Sequence, residues 1–335
     1  MKVTVLGGGS WGTALANHLA KHGISTSIWH RKPEIIEAIN NGHKNPKYCS
    51  SFILEKNLLG ISDLKKAASS AEVIVLAIPS QHFREMVQKI IPYLSDHQIL
   101  VSVAKGIEAG SLKLLSEIAE ELLPPSMAER FTTLGGPSFA KEVLEEQPTA
   151  VTVAGFDSSC VEDVQHLFHH RYFRVYRSTD LIGVEMGGAL KNVIAIATGI
   201  AEGLGFRANT RAALITRGLA EILRVGVKKG ARPETFLGLS GVGDLVLTCT
   251  GDLSRNRRVG IHLGKGENLD EILTKIGEVS EGVTTTISAY HLAKRLGVDA
   301  PITQETYRIL YEGKSPRDSL RDLLDREMAL ETVAP

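Results

Sequence analysis

Two lysines stand where lysine is seldom placed. Lys191 interrupts the apolar helical run Gly187-Gly188-Ala189-Leu190-Lys191-Asn192-Val193-Ile194-Ala195-Ile196-Ala197. Burial disfavours an ammonium, so a lysine inside such a run has its pKa drawn down toward the range where it can give and take a proton. The competing expectation is a snorkelling side chain whose stem packs while its head stays wet. Lys105 follows the β-branched run Ile99–Val103 in Val103-Ala104-Lys105-Gly106. Open parallel sheets bind ligands beyond the carboxyl ends of their strands, which is where this lysine falls. If the two lysines converge, each ammonium lowers the pKa of the other.

A third element is made for an anion. Gly7-Gly8-Gly9-Ser10-Trp11-Gly12 carries GxGxxG between the strand-like Val3–Leu6 and the helical run Thr13-Ala14-Leu15-Ala16. In that position Gly7 permits a tight turn, Gly9 lets backbone approach a pyrophosphate and Gly12 lets helix pack on strand, with helix N–H groups aimed at the ligand. An ordinary tight turn gives the same pattern less purposefully. An NAD-selective site has an acidic residue about 20 residues further on. Here the second strand ends in Trp29-His30-Arg31-Lys32 instead, cations suited to a 2′-phosphate, which favours NADP(H) over NAD(H) unless Arg31 and Lys32 are merely solvated.

Further donors recur near predicted strand and helix ends. Gly135-Gly136-Pro137-Ser138-Phe139-Ala140 offers backbone N–H groups and the Ser138 hydroxyl, or is an ordinary loop. Ser240-Gly241-Val242-Gly243-Asp244 places a carboxylate on a glycine-rich turn. Ser254-Arg255-Asn256-Arg257-Arg258 combines hydroxyl, guanidinium and amide at a helix start, which suits a phosphate, with a solvated basic face as the alternative.

These groups must be held by two kinds of framework. Short β-branched runs at Val3–Leu6, Thr26–Trp29, Val73–Ile78, Ile99–Val103, Phe131–Leu134, Ala150–Ala154 and Phe173–Tyr176 alternate with helical patterns such as Thr13–His22 and Gln81–Leu94. That order predicts a mainly parallel, Rossmann-like α/β sheet over residues 1–180. From Leu181 onward the apolar spacing is helical, through Ala212–Val227, Val283–Leu296 and Ser319–Met328, so residues 181–335 are expected to form an all-helical domain. Ser315-Pro316-Arg317-Asp318 reads as the cap and first turn of its last helix.

Composition narrows the function. The chain's 335 residues include 38 basic and 38 acidic ones, so no global field draws nucleic acid or an anionic membrane. Cys49, Cys160 and Cys249 are odd in number and widely spaced, which points away from disulfides or a metal site and toward a reducing cytoplasm. The uncharged start Val3–Ala20 is broken by Gly7-Gly8-Gly9-Ser10 too early for a secretory leader. No stable membrane insertion is expected.

The motifs together resemble the bacterial-type NAD(P)-dependent glycerol-3-phosphate dehydrogenases, over nearly the whole chain. The likeness rests on Gly7–Ala16, on Gly188-Ala189-Leu190-Lys191-Asn192, on Gly199-Ile200-Ala201-Glu202-Gly203-Leu204-Gly205-Phe206 with Asn209-Thr210, and on Val279-Ser280-Glu281-Gly282-Val283. Arg207 departs from it, standing where the family usually has glycine, which bears on the shape of that loop. The resemblance implies Lys191 as the proton-transferring residue. It implies substrate contacts from Lys105, Gly136, Ser138, Lys191, Asp244, Ser254, Arg255 and Asn256. Cofactor contacts are implied from Ser10, Trp11, Arg31, Lys105, Ala140, Arg255, Val279 and Glu281. It further implies reversible reduction of dihydroxyacetone phosphate to sn-glycerol 3-phosphate for phospholipid synthesis, by a cytoplasmic homodimer without metal.

Three other readings compete. A related 3-hydroxy acid dehydrogenase would recognise a carboxylate in place of a phosphate. A nucleotide-sugar dehydrogenase needs a nucleophilic cysteine, and Cys249, in the apolar setting Leu245-Val246-Leu247-Thr248, reads as an inert packed thiol. A nucleotide-sensing regulator that binds NADP(H) would not need Lys191, Asp244 or Arg255.

Overall fold

The computed structural model describes residues 1–277, 280–328 and 331. By internal contacts the chain divides into two compact units: residues 1–104 with 115–181, and residues 105–114 with 182–335.

The first unit is built on one eight-stranded sheet. Its strands are β1 (Lys2–Leu6), β2 (Ser25–Trp29), β3 (Leu59–Ile61), β4 (Val73–Leu76), β5 (Ile99–Ser102), β6 (Phe131–Gly135), β7 (Thr149–Gly155) and β8 (Phe173–Ser178). The spatial order is β3-β2-β1-β4-β5-β6-β7-β8. Every pairing is parallel except β6 with β7, which is antiparallel. The first six strands follow the Rossmann order, with the reversal of direction between β1 and β4. Seven of these strands coincide with the β-branched runs. The eighth, β3, is three residues of Leu-Gly-Ile and too short to leave a periodic signal.

Register matters for the site. Leu6 lies opposite Trp29 on one side and Leu76 on the other, so β1, β2 and β4 end level with one another. The glycine loop after β1 and the basic turn after β2 therefore leave the sheet at the same edge. The helix Ser10–Lys21 that follows the loop buries its residues Gly12–Ala20. Ala14, Leu15 and Leu19 join Val3, Val5, Ile28, Val73 and Val101 in one core.

Among the described residues the second unit contains helices and no named strand. Leu181–Gly203 is its central helix, long and apolar enough by length and composition to cross a membrane, with 89% of its most apolar window buried in protein. Ala208–Lys229, Asp244–Thr250, Arg255–Gly264, Glu281–Leu296, Pro301–Tyr311 and Pro316–Leu324 surround or extend it. The last begins as expected, with the Ser315 hydroxyl accepting the Asp318 N–H at 3.1 Å. Arg207 precedes Ala208–Lys229 in extended backbone at φ −114°, open to any side chain, and the positive φ of that loop, +94°, falls on Gly205. The glycine of the family pattern is thus not required at position 207.

One segment departs from the boundary expected at residue 180. Residues 105–114 follow β5 yet group with the helical unit. Ile107 and Leu114 are fully buried in the core formed by Met186, Leu190, Val193 and Leu245. Two buried aliphatic side chains decide the placement of a stretch whose sequence position suggested the sheet.

Two helices of this unit meet without intervening side chains. A Cβ on Gly199 would lie 2.1 Å from the Arg257 carbonyl oxygen, and one on Gly260 would lie 2.1 Å from that of Ile196. Gly203 and Gly264 meet the same limit one turn further along. The start of Arg255–Gly264 is thereby held at a backbone-to-backbone distance from the lysine helix. Gly260→Ala should destabilise the protein by about 1–3 kcal/mol, the usual cost of overpacking, although alanine is the better helix former. Urea unfolding checks this against Gly42→Ala, where a Cβ meets nothing within 4 Å and little change is expected.

Candidate active site

The lysine helix carries its charge inward. Lys191 is only 6% exposed, so its head is not snorkelling. Its Nζ donates to Asp244 Oδ1 and to Thr248 Oγ1, both at 2.7 Å. The other carboxylate oxygen, Asp244 Oδ2, accepts from Lys105 Nζ at 2.7 Å. Asp244 is 1% exposed and begins the α-helical stretch Asp244–Thr250, which continues directly from the π-helical turn Leu239–Gly243. Thr248, one turn on, donates its own hydroxyl to the Asp244 carbonyl at 2.6 Å and so turns a lone pair toward the lysine. Thr248 escaped sequence reasoning. Its signal is the i, i+4 spacing from Asp244, which puts both side chains on one helix face.

The arithmetic of donors defines what this cluster can do. An ammonium has three N–H bonds, and two of those on Lys191 are engaged. The third has no acceptor among the described residues, and its direction is set by the other two. Two ammonium groups and one carboxylate leave the cluster at +1, which favours an anionic ligand or an oxygen gaining negative charge. Burial pulls the Lys191 pKa down to about 8, with Asp244 opposing the shift and the Lys105 ammonium adding to it. The two lysines therefore converge, with a shared carboxylate between them.

Beside this cluster runs a chain of amides. Asn256 Nδ2 donates to Asn192 Oδ1 at 2.9 Å, and Asn256 Oδ1 accepts from Ser280 Oγ at 2.6 Å and from the Gly282 N–H at 3.1 Å. Because the Gly282 N–H can only donate, it fixes the orientation of both amides. Asn192 then turns its oxygen toward Asn256 and its NH₂ back along its own helix, donating to the Gly188 carbonyl at 3.5 Å. Ser254 caps its helix by accepting the Arg257 N–H at 3.2 Å, which leaves its own proton to donate. Arg255 opens that helix and Glu281 opens Glu281–Leu296. Val279 lies outside the described residues.

The first unit holds the remaining candidates. Gly7 has φ +121°, and a Cβ there would lie 2.2 Å from the Ala77 carbonyl oxygen; on Gly12 it would lie 1.9 Å from that of Gly7. Gly9 has nothing within 4 Å of that position and precedes a helix with no side-chain cap. The loop is therefore tightly closed at its first and third glycines and open at its second, the shape a pyrophosphate requires. Ser10 begins the helix, and the Trp11 indole N–H is buried without an acceptor among the described residues. Arg31 is exposed just past the end of β2. Gly136 follows β6 at φ +134°, Ser138 Oγ donates to the Gly136 carbonyl at 3.1 Å, and Ala140 starts the helix Ala140–Leu144. These residues fit a dinucleotide by backbone clearance, an uncapped helix start and an orphan donor.

The cysteines are free and buried. Burial pushes the Cys249 thiol up to about 12, far from a nucleophile.

Comparison with known proteins follows the same division. The profile of the NAD-dependent glycerol-3-phosphate dehydrogenase N-terminus matches residues 2–161, and that of its C-terminus matches residues 180–321. The chain is 51% identical over 331 residues to the glycerol-3-phosphate dehydrogenase (NAD(P)+) of Syntrophotalea carbinolica, covering 99% of each chain. It is 49% identical over 332 residues to the same-named protein of Citrifermentans bemidjiense, again covering 99% of each. The crystal structure of glycerol-3-phosphate dehydrogenase from Coxiella burnetii superposes with a TM-score of 0.92 at 37% identity, covering 97% of this chain and 99% of that one.

Asp244→Asn should lower the Lys191 pKa further, below about 8, since the carboxylate is what raises it against burial and the second ammonium. The variant should also lose about 3–5 kcal/mol of stability by leaving buried ammonium groups without a counter-charge. An NMR titration of ¹³C-labelled lysine side chains, assigned with Lys191→Arg, reads the first effect, and denaturant unfolding reads the second.

Proposed function

The chain belongs to the NAD-dependent glycerol-3-phosphate dehydrogenase family, and from that premise we propose how its residues divide the work of interconverting dihydroxyacetone phosphate and sn-glycerol 3-phosphate. The chain is an NAD(P)-dependent oxidoreductase of that specificity. The residue roles below are our own reading.

The sheet unit binds the dinucleotide through Gly7, Gly9 and Gly12, with Ser10, Trp11 and Ala140 around the loop and Arg31 on the adenosine 2′-phosphate. When bound, the nicotinamide supplies or accepts the hydride. The helical unit supplies the proton. The observation that carries this reading is the third N–H of Lys191, the one donor in the buried cluster whose two companions are already engaged. In the direction of reduction it protonates the oxygen that was the ketone, while Lys105 stabilises the charge developing there. In the direction of oxidation the neutral amine removes the hydroxyl proton, and Asp244 with Thr248 keeps the lone pair aimed. Asp244, with both oxygens on ammonium groups, acts as their counter-ion more than as a ligand of substrate.

The substrate phosphate is assigned to Ser254, Arg255 and Asn256. Lys191 and Lys105 are required at the reacting oxygen, and this helix start joins a hydroxyl proton, a guanidinium and an amide to helix N–H groups. The family resemblance alone adds Gly136 and Ser138 as substrate residues and Glu281 as a cofactor residue. A cytoplasmic homodimer that serves glycerophospholipid synthesis belongs to this reading on the family resemblance alone.

The two directions should have opposite pH dependences. Reduction needs the ammonium, so its rate should fall as pH rises through about 8, whereas oxidation needs the amine and should rise to a plateau above about 8. Lys191→Ala should abolish both limbs and lower turnover by about 10²–10⁴-fold with NADPH binding retained. Steady-state rates from pH 6 to 10 with fluorescence titration of NADPH test this; near-normal turnover in the folded variant would refute the role.

Arg31→Ala should weaken NADPH binding far more than NADH binding, because only the phosphorylated cofactor loses a charge-assisted contact. Dissociation constants for the two cofactors decide it, and equal losses would move Arg31 to the part of the site they share.

A further inference from the structure

The basic run at the start of Arg255–Gly264 does not present its arginines alike. Arg257 is only 8% exposed at its side chain and forms a two-pronged pair with Glu202, Nε to Oε2 at 3.0 Å and Nη2 to Oε1 at 2.7 Å. Its remaining Nη1 reaches Asp252 Oδ1 at 3.0 Å, a carboxylate almost wholly in solvent. Arg211 Nη1 also lies 3.7 Å from Glu202 Oε2.

Both partners of the pair sit at the wrong ends of their helices. Glu202 is the penultimate residue of Leu181–Gly203, where the helix dipole disfavours a negative charge, and Arg257 is the third residue of Arg255–Gly264, where it disfavours a positive one. A pair so placed, with Arg257 buried and the Glu202 side chain 34% exposed, is weak as a source of stability. What it does provide is a fixed geometry, because a guanidinium and a carboxylate joined by two parallel hydrogen bonds can neither slide nor rotate. The glycine contact of Gly199 with the Arg257 carbonyl sets how far apart the two helices lie. The ion pair sets their rotation and axial register at the turn that carries Arg255 and Asn256.

We infer that Glu202 and Arg257 are positioning residues for substrate phosphate recognition: they lock the N-terminal turn of Arg255–Gly264 onto the lysine helix. Arg257 thus contributes no charge directly to the anion. This inference rests on the assignment of the phosphate to Ser254–Asn256. It predicts a specific pattern of loss, since a loosened turn impairs only a substrate that uses it.

The test compares dihydroxyacetone phosphate with unphosphorylated dihydroxyacetone. Glu202→Gln keeps the shape but removes the charge, and Arg257→Lys keeps the charge but removes the two-pronged geometry. Each should raise KM for dihydroxyacetone phosphate about tenfold or more with kcat changed less. The kcat/KM for dihydroxyacetone, measured at saturating NADPH because Arg255 is also an implied cofactor contact, should stay within about twofold of the parent. Thermal unfolding establishes which variants are folded, and Glu202→Gln, which introduces no new bulk, carries the test if Arg257→Lys does not fold. Equal losses on both substrates, or no loss on either, would overturn the clamp. A parent enzyme that reduced the two substrates equally well would instead overturn the phosphate assignment, and the clamp with it.

Discussion

A carboxylate with an ammonium on each oxygen is the constraint around which the helical unit is organised. Taking one charge out of water costs several kcal/mol even after the protein relaxes, and here two, Lys191 and Asp244, are buried together with the partly exposed Lys105 against them. Such a cluster persists only if each partner arrives from a rigid element in the right orientation. Lys191 comes from the middle of a long buried helix, Asp244 from within the helical stretch Leu239–Thr250, and Lys105 from a segment anchored by the buried Ile107 and Leu114. Thr248 takes a hydrogen bond that Lys191 would otherwise lack. The remaining excess of one positive charge is the useful quantity: it makes the cluster hospitable to an oxygen that is becoming an alkoxide.

The approach of the neighbouring elements follows from the same need. A Cβ on Gly187 would stand 2.3 Å from the Ser240 carbonyl oxygen, so the turn that delivers Asp244 can lie directly on the lysine helix only because glycine is there. Gly199 and Gly260 do the same for the helix that carries Asn256. Close backbone contact leaves little room for side chains to adjust, so the positions of Lys191, Asn192, Asp244 and Asn256 are set by main chain. That is the condition under which short hydrogen bonds to a reacting atom can be held without reorganisation.

How much of this was legible in the sequence depends on the range of the interaction. The glycine loop, the β-branched strands and the Ser315 cap are local, and each appeared where its residues indicated. β3 left no periodic trace because three residues carry no period. The placement of residues 105–114 was hidden for the opposite reason: nothing near Lys105 reveals that Ile107 and Leu114 fill a core that includes Met186, Leu190, Val193 and Leu245, far along the chain. Lys191 was conspicuous as a charge in an apolar helix, but its partner was not. Asp244 drew attention only as a carboxylate after glycines, and Thr248 not at all, since their meaning lies in a convergence 53 and 57 residues away. The run Ser254–Arg258 looked uniformly cationic in sequence, yet Arg257 is consumed by Glu202 while its neighbours are not part of that pair.

The two units apply different physics to anions, and the difference bears on how specificity is distributed. In the proposed reading the glycine loop meets phosphate with backbone N–H groups and a helix terminus, a mode with no side chain to titrate and little dependence on which nucleotide is attached. That reading leaves discrimination between the two cofactors to Arg31, which is exposed just past the end of β2. The helical unit instead uses buried side-chain charges in mutual contact, so that no member can be changed without altering the proton affinity of another. Cofactor preference should therefore be the more readily altered property, and the proton-transfer chemistry the more resistant, because one depends on a solvated contact at a sheet edge and the other on a closed electrostatic cluster.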